Sequence, residues 1–119
     1  MKLYHTTTLE RAGIIKSGGF RDAEGSYGLM YEDRTPYYIR GVFFSDTPLD
    51  CNDGLPSDVS EVFVLEIPDD VIEPYELIEE GKGYREWCIP ARLVNKYFTK
   101  RETLKLDSLL WGFDESRTN

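Results

Sequence analysis

The sequence predicts an α+β fold built on an antiparallel or mixed sheet. Two observations carry this expectation. One helix-like segment lies close to the start and strand-like segments follow it, without the regular strand–helix alternation of a parallel sheet. The chain of 119 residues is 40% apolar and 30% charged, which suits one soluble domain with a core of its own. No internal repeat, low-complexity run or linker divides it. The expected domain runs over residues 1–113, with a polar, frayed tail over 114–119.

Leu3 to His5 reads as the opening strand. Thr8 suits a helix N-cap, although Arg11 occupies the position where a capping box has Glu or Gln. Leu9, Ala12, Ile14 and Ile15 recur at helical spacing, and Gly18-Gly19 supplies the stop. Residues 21–40, with Tyr27, Tyr31, Tyr37 and Tyr38, have no clean period and read as a long loop, a kind more often functional than idle. Val42 to Ser45 is β-branched and aromatic, hence a strand. Residues 47–57 are rich in turn formers. Glu61 to Ile67 holds the unbroken apolar run Val62-Phe63-Val64-Leu65, which predicts a strand buried on both faces. Pro68-Asp69-Asp70 ends it, and the acidic stretch from Val71 to Glu80 fits either a short helix or a meander. Tyr84 to Ile89 is a further strand, closed by Pro90. Val94 to Phe98 and Thr103 to Leu106 are two more strand candidates.

Charge and cysteine content narrow the function. A formal net charge of −8 disfavours duplex nucleic acid and anionic membrane surfaces, while leaving contact with one exposed nucleotide open. Two cysteines, Cys51 and Cys88, are too few for a disulfide scaffold. One histidine and no C-x-x-C offer no metal-ligand spacing. No apolar run has membrane-spanning length and the N-terminus carries no leader pattern, so a soluble cytoplasmic protein is expected.

Three positions invite a chemical reading. His5 is the only histidine, and its imidazole can both donate and accept a hydrogen bond, which suits a sugar hydroxyl. The plainer alternative is a strand-end histidine bonded to neighbouring backbone. Strand alternation places Tyr84, Glu86 and Cys88 on one face and Arg85, Trp87 and Ile89 on the other. If the first face is buried, Glu86 needs a partner or a task; if it is exposed, Glu86 pairs with Arg85 or Lys82. Phe43 and Phe44 point to opposite faces, one for the core and one available to stack on a planar ring.

Three segments in order carry a resemblance. Leu3-Tyr4-His5-Thr6-Thr7, followed by Ala12-Gly13-Ile14-Ile15-Lys16-Ser17-Gly18-Gly19-Phe20, resembles the opening of the His-Tyr-Glu class of ADP-ribosyltransferases. In that class, which includes the poly(ADP-ribose) polymerases and diphtheria toxin, a strand ends in His-Gly-Ser/Thr before a helix. Gly41-Val42-Phe43-Phe44-Ser45-Asp46 is similar to the polymerases' Gly-Ile-Tyr-Phe-Ala-Asp strand, and Tyr84-Arg85-Glu86-Trp87 to their Tyr-Asn-Glu-Tyr strand.

The resemblance implies a split β-sheet core with a helix after the first strand, and NAD+ as co-substrate with no metal. It implies that His5 binds a ribose hydroxyl and that the Thr6 backbone meets the nicotinamide amide. Phe43 would stack on nicotinamide, and Glu86 would be the catalytic carboxylate on the nicotinamide ribose. Ser45 and Tyr84, in the same motifs, join the NAD-binding set. Two positions depart from the pattern: Thr6 replaces Gly and Phe43 replaces Tyr.

The implied activity is transfer of ADP-ribose to a protein or nucleic-acid acceptor with release of nicotinamide, and small stand-alone cores of this class are often toxins or effectors. Three other activities remain open. They are NAD+ hydrolysis, an RNA 2′-phosphotransferase-like reaction, and a non-catalytic nucleotide- or partner-binding module on the same fold.

Overall fold

The structure is a computed structural model that describes residues 1–25, 39–78, 81 and 83–110. Strand β1 (Lys2–Thr8) leads into helix α1 (Leu9–Gly18), and β2 (Ala23–Gly25) and β3 (Ile39–Ser45) follow. After a 3-10 turn at Cys51–Asp53 come β4 (Val59–Glu66), α2 (Asp69–Ile72), a second 3-10 turn at Glu73–Tyr75, and β5 (Glu76–Leu77). Strand β6 (Glu86–Ile89), helix α3 (Ala91–Val94), β7 (Leu104–Lys105) and α4 (Leu106–Leu110) complete the described elements. The strands lie in the order β5-β6-β3-β1-β4-β7, with β2 on β3, and every pairing is antiparallel. The expected α+β class is therefore observed.

The β1–β4 ladder is the backbone of the sheet. It runs from Lys2↔Glu66 to Thr8↔Val59 and slips only between Thr7 and Thr8. Leu3, opposite Leu65, and Phe63, opposite His5, are buried in the core. On the reverse face Val62 is also fully buried while Val64 is only partly so, so double-sided burial holds at one end of β4. Thr8 ends β1 and caps α1, its Oγ1 accepting from Arg11 N at 3.2 Å. Gly19 ends the helix at φ 84°, with its N–H on Ile15 O at 2.8 Å, a left-handed turn that glycine adopts without cost.

The helix stripe is narrower than its spacing suggested. Ala12 is buried and Ile15 packs against the core, but Leu9 and Ile14 are exposed.

Several boundaries differ from the sequence reading. Beta pairing extends β1 and β3 beyond Leu3–His5 and Val42–Ser45, because their neighbours on β4 and β2 supply partners that no local pattern reveals. Ala23–Gly25 is a strand, not loop. Residues 26–38, with the tyrosine-rich stretch, lie outside the described residues, as do Lys82, 79–80 and 111–119, including the expected domain end and tail. The acidic stretch after Pro68 splits into α2, a 3-10 turn and β5.

Val94 to Phe98 is not a strand. Pro90 starts α3, and Asn95 N→Ala91 O (2.9 Å) and Tyr97 N→Val94 O (2.9 Å) continue helical turning. Val94 and Phe98, four apart, both enter the core, the spacing of a helix face. Thr103–Leu106 contributes only the two residues of β7, and Leu106 already opens α4.

Candidate functional site

The register across three neighbouring strands builds the site. Tyr4 pairs with Ser45, and Ser45 pairs with Glu86, so the three stand in one row on one face of β1, β3 and β6. Alternation adds Thr6 and Phe43 to the same face. Beneath it, Phe44 pairs with Trp87 and Val42 with Ile89, and all four are buried in the core.

Strands β1 and β3 meet in a single ladder pair, Tyr4↔Ser45. Where His5 would continue opposite Phe44 and Thr6 opposite Phe43, the two strands part. An open cleft lies at this parting, lined by Tyr4, His5, Thr6, Phe43, Phe44, Ser45, Leu49, Leu55 and Glu86.

His5 bridges the parting. Its Nδ1 lies 2.7 Å from Phe43 O. A carbonyl only accepts, so Nδ1 carries the hydrogen and the neutral ring keeps Nε2 as an acceptor. Phe20 meets the ring edge-on at a centroid distance of 5.3 Å, and Phe44 lies at 5.5 Å. Burial in this aromatic setting pushes His5 below the ordinary histidine range; the Phe43 carbonyl opposes the shift, and the charge of Arg11 adds to it. Phe20 is itself held by Asn95, whose Oδ1 accepts from Phe20 N (2.9 Å) and whose Nδ2 donates to Phe20 O (3.0 Å).

Glu86 is only 2% exposed, so it is not an exposed-face carboxylate. Arg85 is engaged elsewhere: its guanidinium forms a two-pronged bond with Glu76, Nε to Oε2 at 2.9 Å and a second nitrogen to Oε1 at 2.8 Å, and lies 4.9 Å from the Trp87 ring centre. The backbone before Glu86 is clamped by Asp46, whose Oδ1 accepts from Arg85 N (2.9 Å) and whose N–H donates to Arg85 O (3.1 Å). These bonds pin the start of β6 against the end of β3 and hold the Ser45–Glu86 pair in register.

No family model, curated protein or solved structure matches the chain.

The cleft gathers five of the six residues singled out in the sequence: His5, Thr6, Phe43, Ser45 and Glu86. Tyr84 lies ahead of β6 and does not line it. His5 and Glu86 stand two strands apart, with β3 between them, and border the same opening. Ser45 is buried, and its hydroxyl donates to Thr47 O at 2.6 Å, with Tyr4 O at 3.4 Å, which ties the row together. Both Phe43 and Phe44 line the cleft, and of the two only Phe44 belongs to the core cluster. Thr6 Oγ1 is buried with no hydrogen-bond partner among the described residues.

Other cleft residues were not anticipated. Leu49 and Leu55 line it from the turn-rich segment, where their signal was being its two leucines. The supporting role of Asn95 had no local signal. A second buried carboxylate, Glu61, lies off the cleft, where it accepts from Ser60 Oγ, Thr103 Oγ1 and Lys105 Nζ, each at 2.9 Å. Burial pushes its carboxyl up, but these donors outweigh that and hold it below its usual value. Cys88 is buried, and burial, with the charges of Asp22 and Glu86, pushes its thiol up to about 11. Among the described residues no group of three acidic, histidine or cysteine side chains is placed to hold a metal ion, and no helix is long and apolar enough to cross a membrane.

Proposed function

We propose that this chain is an NAD+-dependent ADP-ribosyltransferase that moves ADP-ribose to a protein or nucleic-acid acceptor and releases nicotinamide. One observation carries the reading: His5 and Glu86, far apart in the sequence, border one cleft together with Thr6 and Phe43. These are the positions at which the three segments resemble the His-Tyr-Glu transferases.

The chemistry of the side chains supports it. With Nδ1–H committed to Phe43 O, His5 presents Nε2 as an acceptor, which suits the hydroxyl proton of a ribose. Phe43 supplies an aromatic face for a flat, electron-poor ring. Cleaving the bond between nicotinamide and ribose builds positive charge on the sugar. A carboxylate fixed at Glu86 stabilises that charge as it forms, and it can take the proton of an incoming nucleophile. The Asp46 clamp on the Arg85 backbone fixes the start of the strand that carries Glu86, which limits the reorganisation the reaction requires there.

The test is nicotinamide release from NAD+ by the purified protein beside Glu86→Gln, with and without a cell extract as acceptor source. Release that disappears in the variant supports the transferase reading, and dependence on extract separates transfer from hydrolysis. No release, with NAD+ still protecting the protein against heat, would replace it with a binding module on the same cleft. Neither release nor protection would remove NAD+ from the account.

A further inference from the structure

Charge is unevenly placed along this chain. Residues 11–21 carry Arg11, Lys16 and Arg21, and residues 91–101 carry Arg92, Lys96, Lys100 and Arg101. These two stretches hold seven of the 14 basic residues and none of the 22 acidic ones. The fold brings them together. Asn95 holds both backbone groups of Phe20, the Phe20 and Phe98 rings meet at 4.8 Å, and an Arg101 guanidinium nitrogen donates to Lys16 O at 3.0 Å. Among the described residues none of the seven forms an ion pair. Glu10, Asp22 and Glu102 flank the two stretches, and Asp22 is committed to the Ala91 amide at 2.8 Å. A chain of net charge −8 thus carries a local basic face, which attracts an anionic partner.

Arg92 and Lys96 of this face also line a groove of about 210 Å³, together with Tyr75, Pro90 and Leu93. No carboxylate lines it. Tyr75 is half-buried and makes no ring–ring contact among the described residues. Engineered cavities of about 150 Å³ admit benzene, so the groove has room for one flat ring. Two cations beside a tyrosine, a proline and a leucine suit a ligand that is both anionic and flat. A nucleotide is both, whereas an Asp or Glu side chain is only anionic. A duplex keeps its bases stacked inside and sets denser phosphate charge against the rest of an acidic chain, so a single strand fits better.

We propose that the basic face formed by residues 11–21 and 91–101 binds single-stranded nucleic acid, with phosphates on its arginines and lysines and one base in the groove against Tyr75. The inference goes beyond the NAD+ reading and does not rest on it, because strand binding is measured without NAD+.

The experiment measures fluorescence anisotropy of labelled single strands of DNA and of RNA, each about 12 nucleotides long, between about 50 and 200 mM salt. A duplex of the same sequence and a glutamate-rich peptide are run beside them. The proteins are the wild type, Arg92→Gln/Lys96→Gln, Tyr75→Leu, and Lys2→Gln/Arg40→Gln, which removes the same charge elsewhere. The groove pair should weaken strand binding by about tenfold at the lower salt and flatten the salt slope by about 1.4, two phosphate contacts at about 0.7 each. The control pair should change it by less than about twofold. Tyr75→Leu should weaken strand binding by about fivefold or more and leave peptide binding unchanged. Arg92 and Lys96 are exposed, so the groove pair decides the matter even if Tyr75→Leu melts early. The tighter of the two strands identifies the preferred sugar. The inference is overturned by no strand binding at the lower salt, by equal losses in the groove and control pairs, or by tighter binding of the duplex. Tighter binding of the peptide also overturns it and assigns the face to an acidic protein.

Discussion

His5 Nδ1 lies 2.7 Å from the carbonyl oxygen of Phe43, and that hydrogen bond spans the place where β1 and β3 separate. A backbone ladder would have closed the gap. A side chain closes it instead, and both His5 and Phe43 line the cleft that lies there. The same contact selects the ring tautomer, so the geometry of the parting and the chemistry offered to a ligand are set together.

The first prediction concerns that ring. His5 titrates below the usual histidine value of 6.5, mainly because it is buried. The unfolded chain then takes up a proton near pH 6.5 while the folded chain does not. Stability should therefore fall as pH drops from 6.5 to the folded value and level off below it. His5→Gln should flatten this limb of the melting curve. An imidazole NMR titration with its midpoint at or above 6.5 would contradict the assignment.

Replacing Glu86 with Gln keeps the shape and removes the charge. Under the transferase reading, nicotinamide release should drop by about a hundredfold to a thousandfold, while the NAD+ dissociation constant changes by only a few fold. Single-turnover assays beside calorimetry separate the two. An equal loss in both would assign Glu86 to binding.

Glu61 should matter to stability and not to the cleft. Thr103, Lys105 and Ser60 hold it charged, so its contribution is present above the ordinary carboxylate value of 4.5 and is lost as pH falls through its lower folded value. Glu61→Ala should cost about 2 kcal/mol at pH 7, the scale of hydrogen bonds to a charged group. It should also loosen β7 and leave NAD+ affinity unchanged. Urea unfolding at pH 7 and pH 3.5 checks the loss and its pH window.

The cysteines should separate cleanly in reactivity. Cys51 is exposed, whereas Cys88 is buried with its thiol raised to about 11. At pH 8 a maleimide should label Cys51 in minutes and Cys88 only as fast as the protein opens. Mass spectrometry of a timed labelling series reads both rates. Comparable rates would mean that β6 is not held where Trp87 and Ile89 place it in the core.

Local signals were legible wherever the chain's own geometry decides the outcome. Thr8 as cap, Gly19 as stop, the apolar run of β4 and the division of Phe43 from Phe44 all follow from spacing and side-chain shape. Signals failed where a partner decided. Val94 and Phe98 look like strand residues until Pro90 starts a helical turn and the core accepts both from one face. Leu9 and Ile14 complete a helical stripe on paper, but the sheet beneath α1 reaches only Ala12 and Ile15.

For the site, the sequence by itself determined which residue types were present: one histidine, a strand glutamate between Arg85 and Trp87, and a paired phenylalanine. The tertiary structure decided what they could do. Register alone aligns Tyr4, Ser45 and Glu86 in a row, and the parting of β1 from β3 alone brings His5 and Thr6 to the same opening. The reason is physical. Alternation and capping are properties of a few consecutive residues, whereas register and strand separation are set by burial summed over the whole sheet, which no short segment encodes.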